Sequence, residues 1–277
     1  LKTWSAADAI TGLTSGAAIS NWADLSGNGD DASQVNGNQR PTYISNVING
    51  LPVVRFNAAT SNYLAFARPV QDDFTIFCVF RSTRGYGSGS LYFQGAGLVN
   101  GEVSGVTTDF GTCLFTNGQL CAGTGNPDVA VNSAPGFNDG RPHLLTFKRI
   151  ESSGEIDLYV DGSFIGSTTG GTSALTAPNQ LVLGAQQTLI NFLNGDIAEV
   201  KIYNSALSDP DRNAVAGGLE CKYGIPNATP PLPTPSGLAG VPGNRAIALS
   251  WSAGSGAVTY TLFSSPNFTG PFTMLAT

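Results

Sequence analysis

Residues 154–167 read GEIDLYVDGSFIGS and carry the clearest structural signal in the chain. Apolar and polar residues alternate from Glu155 to Val160, which is the period of a strand with one buried face. The pair Asp161-Gly162 is a two-residue hairpin signal, because both positions of such a turn need a positive φ. The stretch therefore predicts an antiparallel hairpin around this turn.

Further strand-like runs follow at short intervals along the first 225 residues. They are rich in Val, Ile, Phe and Tyr and are bounded by Gly, Asn and Pro. No helical period separates them, so we expect two packed antiparallel sheets rather than a parallel sheet covered by helices. The predicted strands are 51–57, 74–82, 89–95, 143–150, 155–161, 180–185 and 195–204.

The end of the chain differs from this pattern in two ways. Residues 207–225 predict a helix, with Ser208 as the N-cap, Pro210 in the first turn and Gly224 as the C-terminal stop. Five prolines in residues 226–237 predict a stiff, extended linker. The predicted fold is all-β: a two-sheet antiparallel jelly-roll sandwich with one C-terminal helix over 1–225, the Pro-rich linker, and a partial β-sandwich over 238–277.

Composition excludes several classes of function. Hydrophobic residues make up 41% of the chain, which argues against disorder, and charged residues only 12%. The net charge is −6 and the 13 Lys and Arg residues form no cluster, so we expect no nucleic-acid partner. No apolar run has the roughly 18 residues that a membrane span needs, so we expect no membrane insertion. The chain begins at Leu1, so we expect that an upstream segment was removed or left out.

The cysteines and the single histidine argue against two common kinds of site. Cys113 and Cys121 flank an Asn-Gly turn in a predicted hairpin, which would bring them within reach of a disulfide. The alternative is that they are two small apolar residues on adjacent strands. His143 is the only histidine, and the chain has neither a Cys-x-x-Cys pair nor a Gly-x-Ser-x-Gly elbow. A zinc site or a Ser-His-Asp triad is therefore not expected.

Several motifs occur in an order that resembles a known family. They include ISNWADLSGNGDDASQ (19–34), RPTYISNVINGLPVVRFN (40–57), FLNGDIAEVKIYNSALSDPDR (192–212) and LECKYGI (219–225). Together with the hairpin they resemble the bacterial laminin-G-like, concanavalin A-like jelly-roll domains over residues 1–225. Residues 238–277 resemble the first half of a fibronectin type III domain. The resemblance implies a secreted or cell-surface bacterial protein that binds glycans or acts in adhesion.

The loop WADLSGNGDD (22–31) concentrates oxygen-bearing side chains in a Gly-rich segment. Calcium takes six to eight oxygen ligands from such loops, and jelly-roll relatives often hold one structural Ca²⁺. We therefore take Asp24, Asn28 and Asp30, with Glu199 from a predicted strand, as candidate calcium ligands. The alternative is that Asx-turns satisfy these side chains locally.

Aromatic residues in the long irregular stretch 84–140 are candidates for sugar binding, since sugars stack on exposed rings beside polar groups. The candidates are Tyr86, Tyr92, Phe110, Phe115 and Phe137. For each ring the alternative is a place in the core.

We expect no catalysis from the carboxylates on the predicted hairpin. Hydrolases of this fold need three acids on alternating positions of one strand, but the third position here is Val160. Glu155 and Asp157 are therefore predicted to be solvated residues on the outer face.

The resulting functional hypothesis is a non-catalytic extracellular module of a larger protein, which binds polysaccharides or glycoprotein glycans. One alternative is a structural subunit that associates with copies of itself or with flanking domains of the parent chain. A polysaccharide hydrolase or lyase on the same fold is the third hypothesis.

Overall fold

The computed structural model describes residues 1–226 in full, and it describes the backbone of 236–243, 246–252, 262–264 and 273–276. The chain divides into two compact units, Leu1–Ala228 and Thr229–Thr277. The division falls inside the predicted linker, most of which lies outside the described residues. The predicted boundaries at residues 225 and 237 stay a prediction.

The N-terminal unit is a sandwich of two eight-stranded antiparallel sheets. Sheet A has seven strands in line and an eighth, β1 (Thr3–Ala6), paired with β16. The order in sheet A is β14 (Ser163–Thr169), β13 (Glu155–Val160), β12 (Pro142–Ile150), β7 (Phe74–Arg84), β16 (Asn194–Tyr203), β5 (Leu51–Phe56) and β4 (Thr42–Ile48).

Sheet B lies across the core from sheet A and also has eight strands. Its order is β11 (Val129–Asn132), β10 (Leu120–Thr124), β9 (Phe110–Leu114), β8 (Ala96–Asn100), β15 (Gln180–Leu183), β6 (Leu64–Ala67), β3 (Ala32–Ser33) and β2 (Asn21–Trp22). Three single-turn 3₁₀ helices lie in the connections, at Ala7–Ala9, Gly37–Gln39 and Ala58–Thr60.

The core fills the space between the two sheets, because alternate residues of each strand point inward. On β13 the inward residues are Ile156, Leu158 and Val160, as the sequence predicts. Burial of each large apolar side chain contributes about 2 kcal/mol. The largest side chains of this core are Trp22, Phe56, Phe74, Phe80, Phe110 and Phe147.

The outer face of sheet A is covered by the helix α1 (Asp209–Tyr223). Ser208 accepts a hydrogen bond from the N–H of Asp211, and Gly224 ends the helix in the left-handed conformation, so both predicted caps are confirmed. The helix contributes Ala216, Leu219 and Tyr223 to a second apolar cluster with Phe77, Val79 and Leu144 of the sheet.

Six of the seven predicted strands are present, and the predicted hairpin forms β13 and β14 around Asp161-Gly162. The strand predicted at residues 89–95 is wrong, because the nearest strand, β8, begins only at Ala96. Residues 85–95 hold four glycines and lie across the outer face of sheet B without joining its ladder.

The C-terminal unit has two antiparallel strand pairs in its described backbone. The strands β17 (Ser236–Gly243) and β18 (Ala246–Ser252) form one pair, and β19 (Leu262–Ser264) and β20 (Thr273–Ala276) form the other. The fibronectin type III resemblance of this unit stays a prediction.

Candidate functional site

Residues 85–95, which we call the covering segment, lie on the face of sheet B that points away from the core. It makes two backbone hydrogen bonds at the end of β9, from Tyr86 N to Leu114 O and from Thr116 N to Gly87 O, and others of its carbonyl oxygens accept from side chains. Asn132 donates to Ser90 O over 2.8 Å, and Gln186 donates to Gly95 O over 3.0 Å and to Phe93 O. Side chains of β11 and of the loop after β15 therefore help to hold this segment in place.

Tyr92 anchors the covering segment to sheet B by packing and by a hydrogen bond. Its ring lies over Gly123, where a Cβ atom would come within 2.6 Å of Tyr92 Cδ1. Its hydroxyl donates to Asp109 Oδ1 over 2.5 Å, and the N–H of Val103 donates to Asp109 Oδ2 over 2.7 Å. Asp109 is only 1% exposed, and burial raises its pKa. Both oxygens of this carboxylate are thus occupied and closed off from solvent.

Glu102 lies on the same loop as Asp109, and its carboxylate is less completely enclosed. The residue is 8% exposed, and among the described residues only Thr188 donates to the carboxylate, over 3.3 Å. Burial and the nearby charges of Asp109 and Asp128 raise the pKa of Glu102. No lysine or arginine of residues 1–226 forms an ion pair with any of these three acids. Glu102 can therefore accept further hydrogen bonds.

The loop of residues 186–191, whose Thr188 donates to Glu102, also carries two exposed apolar side chains. Leu189 is 41% exposed and Ile190 53% exposed. The loop is closed by hydrogen bonds from Gln186 N to Ile190 O and from Leu189 N to Gln186 O. Leu189 has a φ of 58°, a conformation that costs a residue with a Cβ free energy. We call Glu102, Thr188, Leu189 and Ile190 the candidate site.

The sequence prediction missed these four residues. Glu102 and Thr188 are 86 positions apart, and neither belongs to a recognisable motif. The one local signal was an acid in the Gly- and Thr-rich stretch GEVSGVTTDF (101–110), inside the irregular region where binding loops were expected.

Only one of the five predicted aromatic binding residues is exposed. Tyr86 is exposed, whereas Phe110 lies in the core between the sheets, with its ring centroid 4.7 Å from that of Phe74. The prediction of a binding role for Phe110 is therefore corrected, because no ligand reaches its ring.

The other three predicted aromatic residues are also enclosed. Tyr92 and Phe115 are buried between the covering segment and sheet B, and Phe137 packs edge-on against His143. The rings of Tyr92 and Phe115 therefore offer no free face in this structure, whereas a binding role for Tyr86 and the half-buried Phe137 stays a prediction.

Cys113 and Cys121 lie directly opposite each other on β9 and β10, as the Asn-Gly turn predicts. Both are buried free thiols in the structure, and burial raises the pKa of Cys113, as does its contact with Cys121. The disulfide between them is therefore not formed here, and its formation stays a prediction.

The predicted calcium loop satisfies its side chains with donors of the protein itself. Asp24 accepts hydrogen bonds from the backbone of Trp4 and Ser26, and the Ser26 contact is an Asx-turn. Asn28 donates to the carbonyl of Lys2, and Asp30 accepts from the hydroxyl of Thr3. Although burial favours the protonated form of Asp24, these backbone donors lower its pKa.

Glu199 does not join this loop in a common set of ligands. Its carboxylate accepts hydrogen bonds from Trp4, Lys222 and Tyr223. Among the residues that the structure describes, no three His, Cys, Asp or Glu side chains form a group that could hold a metal ion. The arrangement does not fit a calcium ion at these four residues, and calcium binding stays a prediction.

The two acids of the hairpin differ from the sequence prediction in one respect. Glu155 is half-buried, but Asp157 is fully buried and pairs with Lys148 on β12 over 2.8 Å. Asp157 faces outward from the sheet, as its alternation indicates, yet it is not solvated. The cross-strand neighbour satisfies its charge, so Asp157 is a structural residue.

His143 bridges two carboxylates and gives the unit a pH dependence that can be measured. Its ring nitrogens lie 2.7 Å from Asp161 Oδ2 and 3.1 Å from Asp139 Oδ1. Burial lowers the pKa of His143, but these two acids raise it more.

We expect NMR titration of this single histidine to give a pKa above the usual value of about 6.5. The stabilisation is then complete below the unfolded pKa and is lost as pH rises through the folded pKa, at about 1.4 kcal/mol per unit of difference. Asp161→Asn should lower the pKa. A titration midpoint at or below 6.5 in the unsubstituted protein would contradict this interpretation.

Comparison with known proteins identifies the fold. The profile described as the concanavalin A-like lectin/glucanases superfamily matches residues 58–211. No curated protein gave a significant sequence match. No helix in the described part of the chain has both the length and the hydropathy of a membrane span.

Solved structures with a similar fold include three toxin binding domains. The binding domain of botulinum neurotoxin DC, in complex with SialylT, has 14% identity and a TM-score of 0.52, over 72% of this chain and 48% of that one. The binding domain of Paraclostridial mosquitocidal protein 1 has 15% identity and a TM-score of 0.55, over 74% and 51%. The binding domain of botulinum neurotoxin serotype D has 12% identity and a TM-score of 0.56, over 99% and 68%. The chain spans about half the length of the first two domains, and at these identities the likeness concerns the fold alone.

Proposed function

This chain belongs to the concanavalin A-like lectin/glucanases superfamily, and from that premise we propose that its N-terminal unit is a non-catalytic glycan-binding module of a secreted or cell-surface protein. The observation that carries the proposal is the candidate site, where a carboxylate with unused acceptor capacity lies beside a fixed pair of exposed aliphatic side chains. The solved neurotoxin domain in complex with SialylT supports a glycan as the class of ligand.

The chemistry of the site matches that of a sugar. A pyranose presents hydroxyl donors around its rim and a C–H face that is apolar. Glu102 can accept from hydroxyl groups, because among the described residues only Thr188 donates to its carboxylate. Leu189 and Ile190 offer an apolar surface, and the hydrogen bonds that close their loop reduce the entropy lost on binding.

The state of the neighbouring carboxylate of Asp109 supports the proposal of binding without cleavage. Glycoside hydrolysis needs two carboxyl groups that both reach the scissile bond. Asp109 is buried, and its two oxygens accept from Tyr92 and Val103. Asp109 therefore cannot act as the second carboxyl group beside Glu102, which supports a binding role.

The proposal predicts that Glu102→Gln weakens glycan binding and stabilises the unit. A hydrogen bond to a charged acceptor contributes about 1.5–3 kcal/mol, so we expect roughly 10- to 100-fold weaker binding. Since burial disfavours the charged form of Glu102, its neutral replacement should raise the melting temperature.

The measurement is a glycan array followed by calorimetric titration with the best glycan, together with thermal unfolding. Glu155→Gln is the matched control, because it makes the same chemical change on sheet A and should alter neither quantity. Unchanged affinity and melting temperature in Glu102→Gln would refute the site. Release of reducing ends from any bound polysaccharide would refute the non-catalytic role.

A further inference from the structure

We propose that the ligand of this module is an uncharged or amino sugar and that acidic glycans, such as those that end in sialic or uronic acid, are discriminated against. The inference rests on the proposed glycan-binding function and names the class of glycan. Two observations support it. The charge at the candidate site is negative, and the polar atoms with unused hydrogen-bonding capacity there are acceptors.

The charge around the candidate site is negative and is not neutralised by the protein. Backbone hydrogen bonds from Gly101 to Phe110 and from Gly125 to Asp109, each over 2.9 Å, place the segments that carry Glu102, Asp109 and Asp128 side by side, and the charges of these acids repel one another. The arginines and lysines of residues 1–226 that form ion pairs do so with other acids, for example Arg55 and Arg81 with Asp196. A carboxylate on the ligand would therefore meet uncompensated like charge in a region of reduced dielectric.

The polar atoms at the site that can form further hydrogen bonds are acceptors. Gln186 opens the same loop as Thr188 and is only 1% exposed. Its Nε2 donates to the carbonyls of Phe93 and Gly95, which places the amide between this loop and the covering segment. Its Oε1 is also buried and has no hydrogen-bond partner among the described residues. This independent observation agrees with Glu102, because in residues 1–226 the polar atoms around this loop that keep unused hydrogen-bonding capacity are acceptors.

The apolar part of the site narrows the ligand class further. Leu189 and Ile190 are exposed neighbours of these acceptors and favour contact with a C–H face. A small cation would satisfy the acceptors but would leave this apolar surface without a role. A neutral sugar, or an amino sugar with an ammonium donor, satisfies both.

The test is an array of neutral glycans in which each is printed beside its terminally sialylated counterpart, with chitotriose and its deacetylated form as a further pair. We expect the unsubstituted full chain to bind the neutral member at least about tenfold more tightly than the sialylated one. The deacetylated trimer should bind as tightly as chitotriose or more tightly. Glu102→Gln should narrow the difference within each sialylated pair, as should a rise in NaCl from 50 to 500 mM.

The outcomes separate this inference from the proposed function. Equal or tighter binding of sialylated glycans, with no effect of salt or of Glu102→Gln on the ratio, would overturn the ligand class and leave glycan binding intact. A lack of binding to every glycan would overturn the proposed function, and the inference with it. Glu155→Gln should leave the ratio of every pair unchanged.

Discussion

Replacement of Arg149 by methionine should lower the free energy of unfolding of the N-terminal unit by about 4 kcal/mol. Arg149 lies on β12, is 0% exposed and forms no ion pair with a carboxylate of the described residues. Its guanidinium donates instead to four carbonyl oxygens. These are the carbonyls of Gln71 and Asp72, at 3.2 and 2.7 Å, and of Gly171 and Ser173, at 3.1 and 2.7 Å.

The size of this loss of stability follows from the buried carbonyl groups that methionine would leave without a donor. Two connections, one before β7 and one after β14, are tied to sheet A through this one side chain. Methionine fills a similar volume but cannot donate, so buried carbonyls lose their partners, and each such loss costs about 1–3 kcal/mol. Urea unfolding followed by tryptophan fluorescence measures the change, since Trp4 and Trp22 lie in this unit.

Two further variants make the Arg149 experiment specific. Arg149→Lys keeps the charge but has fewer donors in a different geometry, so it should give an intermediate loss. Arg84→Met removes an exposed arginine and should change the free energy of unfolding by less than about 0.5 kcal/mol. A loss in Arg149→Met no larger than that of Arg84→Met would show that the carbonyl contacts are not stabilising.

The second large effect is expected for Glu199→Gln, at about 3–5 kcal/mol. Glu199 is buried on β16 and accepts hydrogen bonds from Trp4 over 2.8 Å, Lys222 over 2.6 Å and Tyr223 over 2.8 Å. These contacts join β1, sheet A and the end of α1. Glutamine removes the charge that Lys222 requires and places an amide where two acceptor oxygens were, so the end of the helix should loosen.

The Glu199 effect should depend on pH in a defined direction. Burial raises the pKa of Glu199, but Lys201, Lys222 and the hydrogen bonds lower it further, so the net pKa lies below the usual value of 4.5. The stabilisation is therefore present above the unfolded pKa and is lost as pH falls through the folded pKa. The difference between the two proteins should shrink in that acid range, as measured by urea unfolding at several pH values. A difference that is constant down to acid pH would indicate that the charge of Glu199 is not the cause.

The elements that sequence predicted well are those whose signals are local. The β13–β14 hairpin needs only the alternation from Glu155 and the Asp161-Gly162 turn, and α1 needs only its caps at Ser208 and Gly224. The same reasoning failed at residues 89–95, where apolar residues between glycines looked like a strand. Their real partners, Asn132 and Gln186, are far away in sequence and could not be inferred from a single chain.

The candidate site was less predictable for the same physical reason. Alternation indicates which face of a strand a residue occupies, but it does not show what covers that face. Asp157 faces outward and is buried by Lys148. Tyr92 is predicted as a sugar-binding ring, but its hydroxyl donates to Asp109. Glu102 is a candidate because Thr188 donates to it and because burial and the charges of Asp109 and Asp128 raise its pKa. These contacts exist only in the folded chain.

The covering segment has a consequence for how this protein can diversify. Because it is held by side chains and by two backbone hydrogen bonds at the end of β9, and is not a strand of sheet B, its sequence can change without a shift of register in that sheet. A combinatorial library that varies residues 86–91 and keeps Tyr92 and the glycines would alter one wall of the surface while the scaffold retains its stability. Such a library would turn this unit into a starting point for selecting new binding specificities.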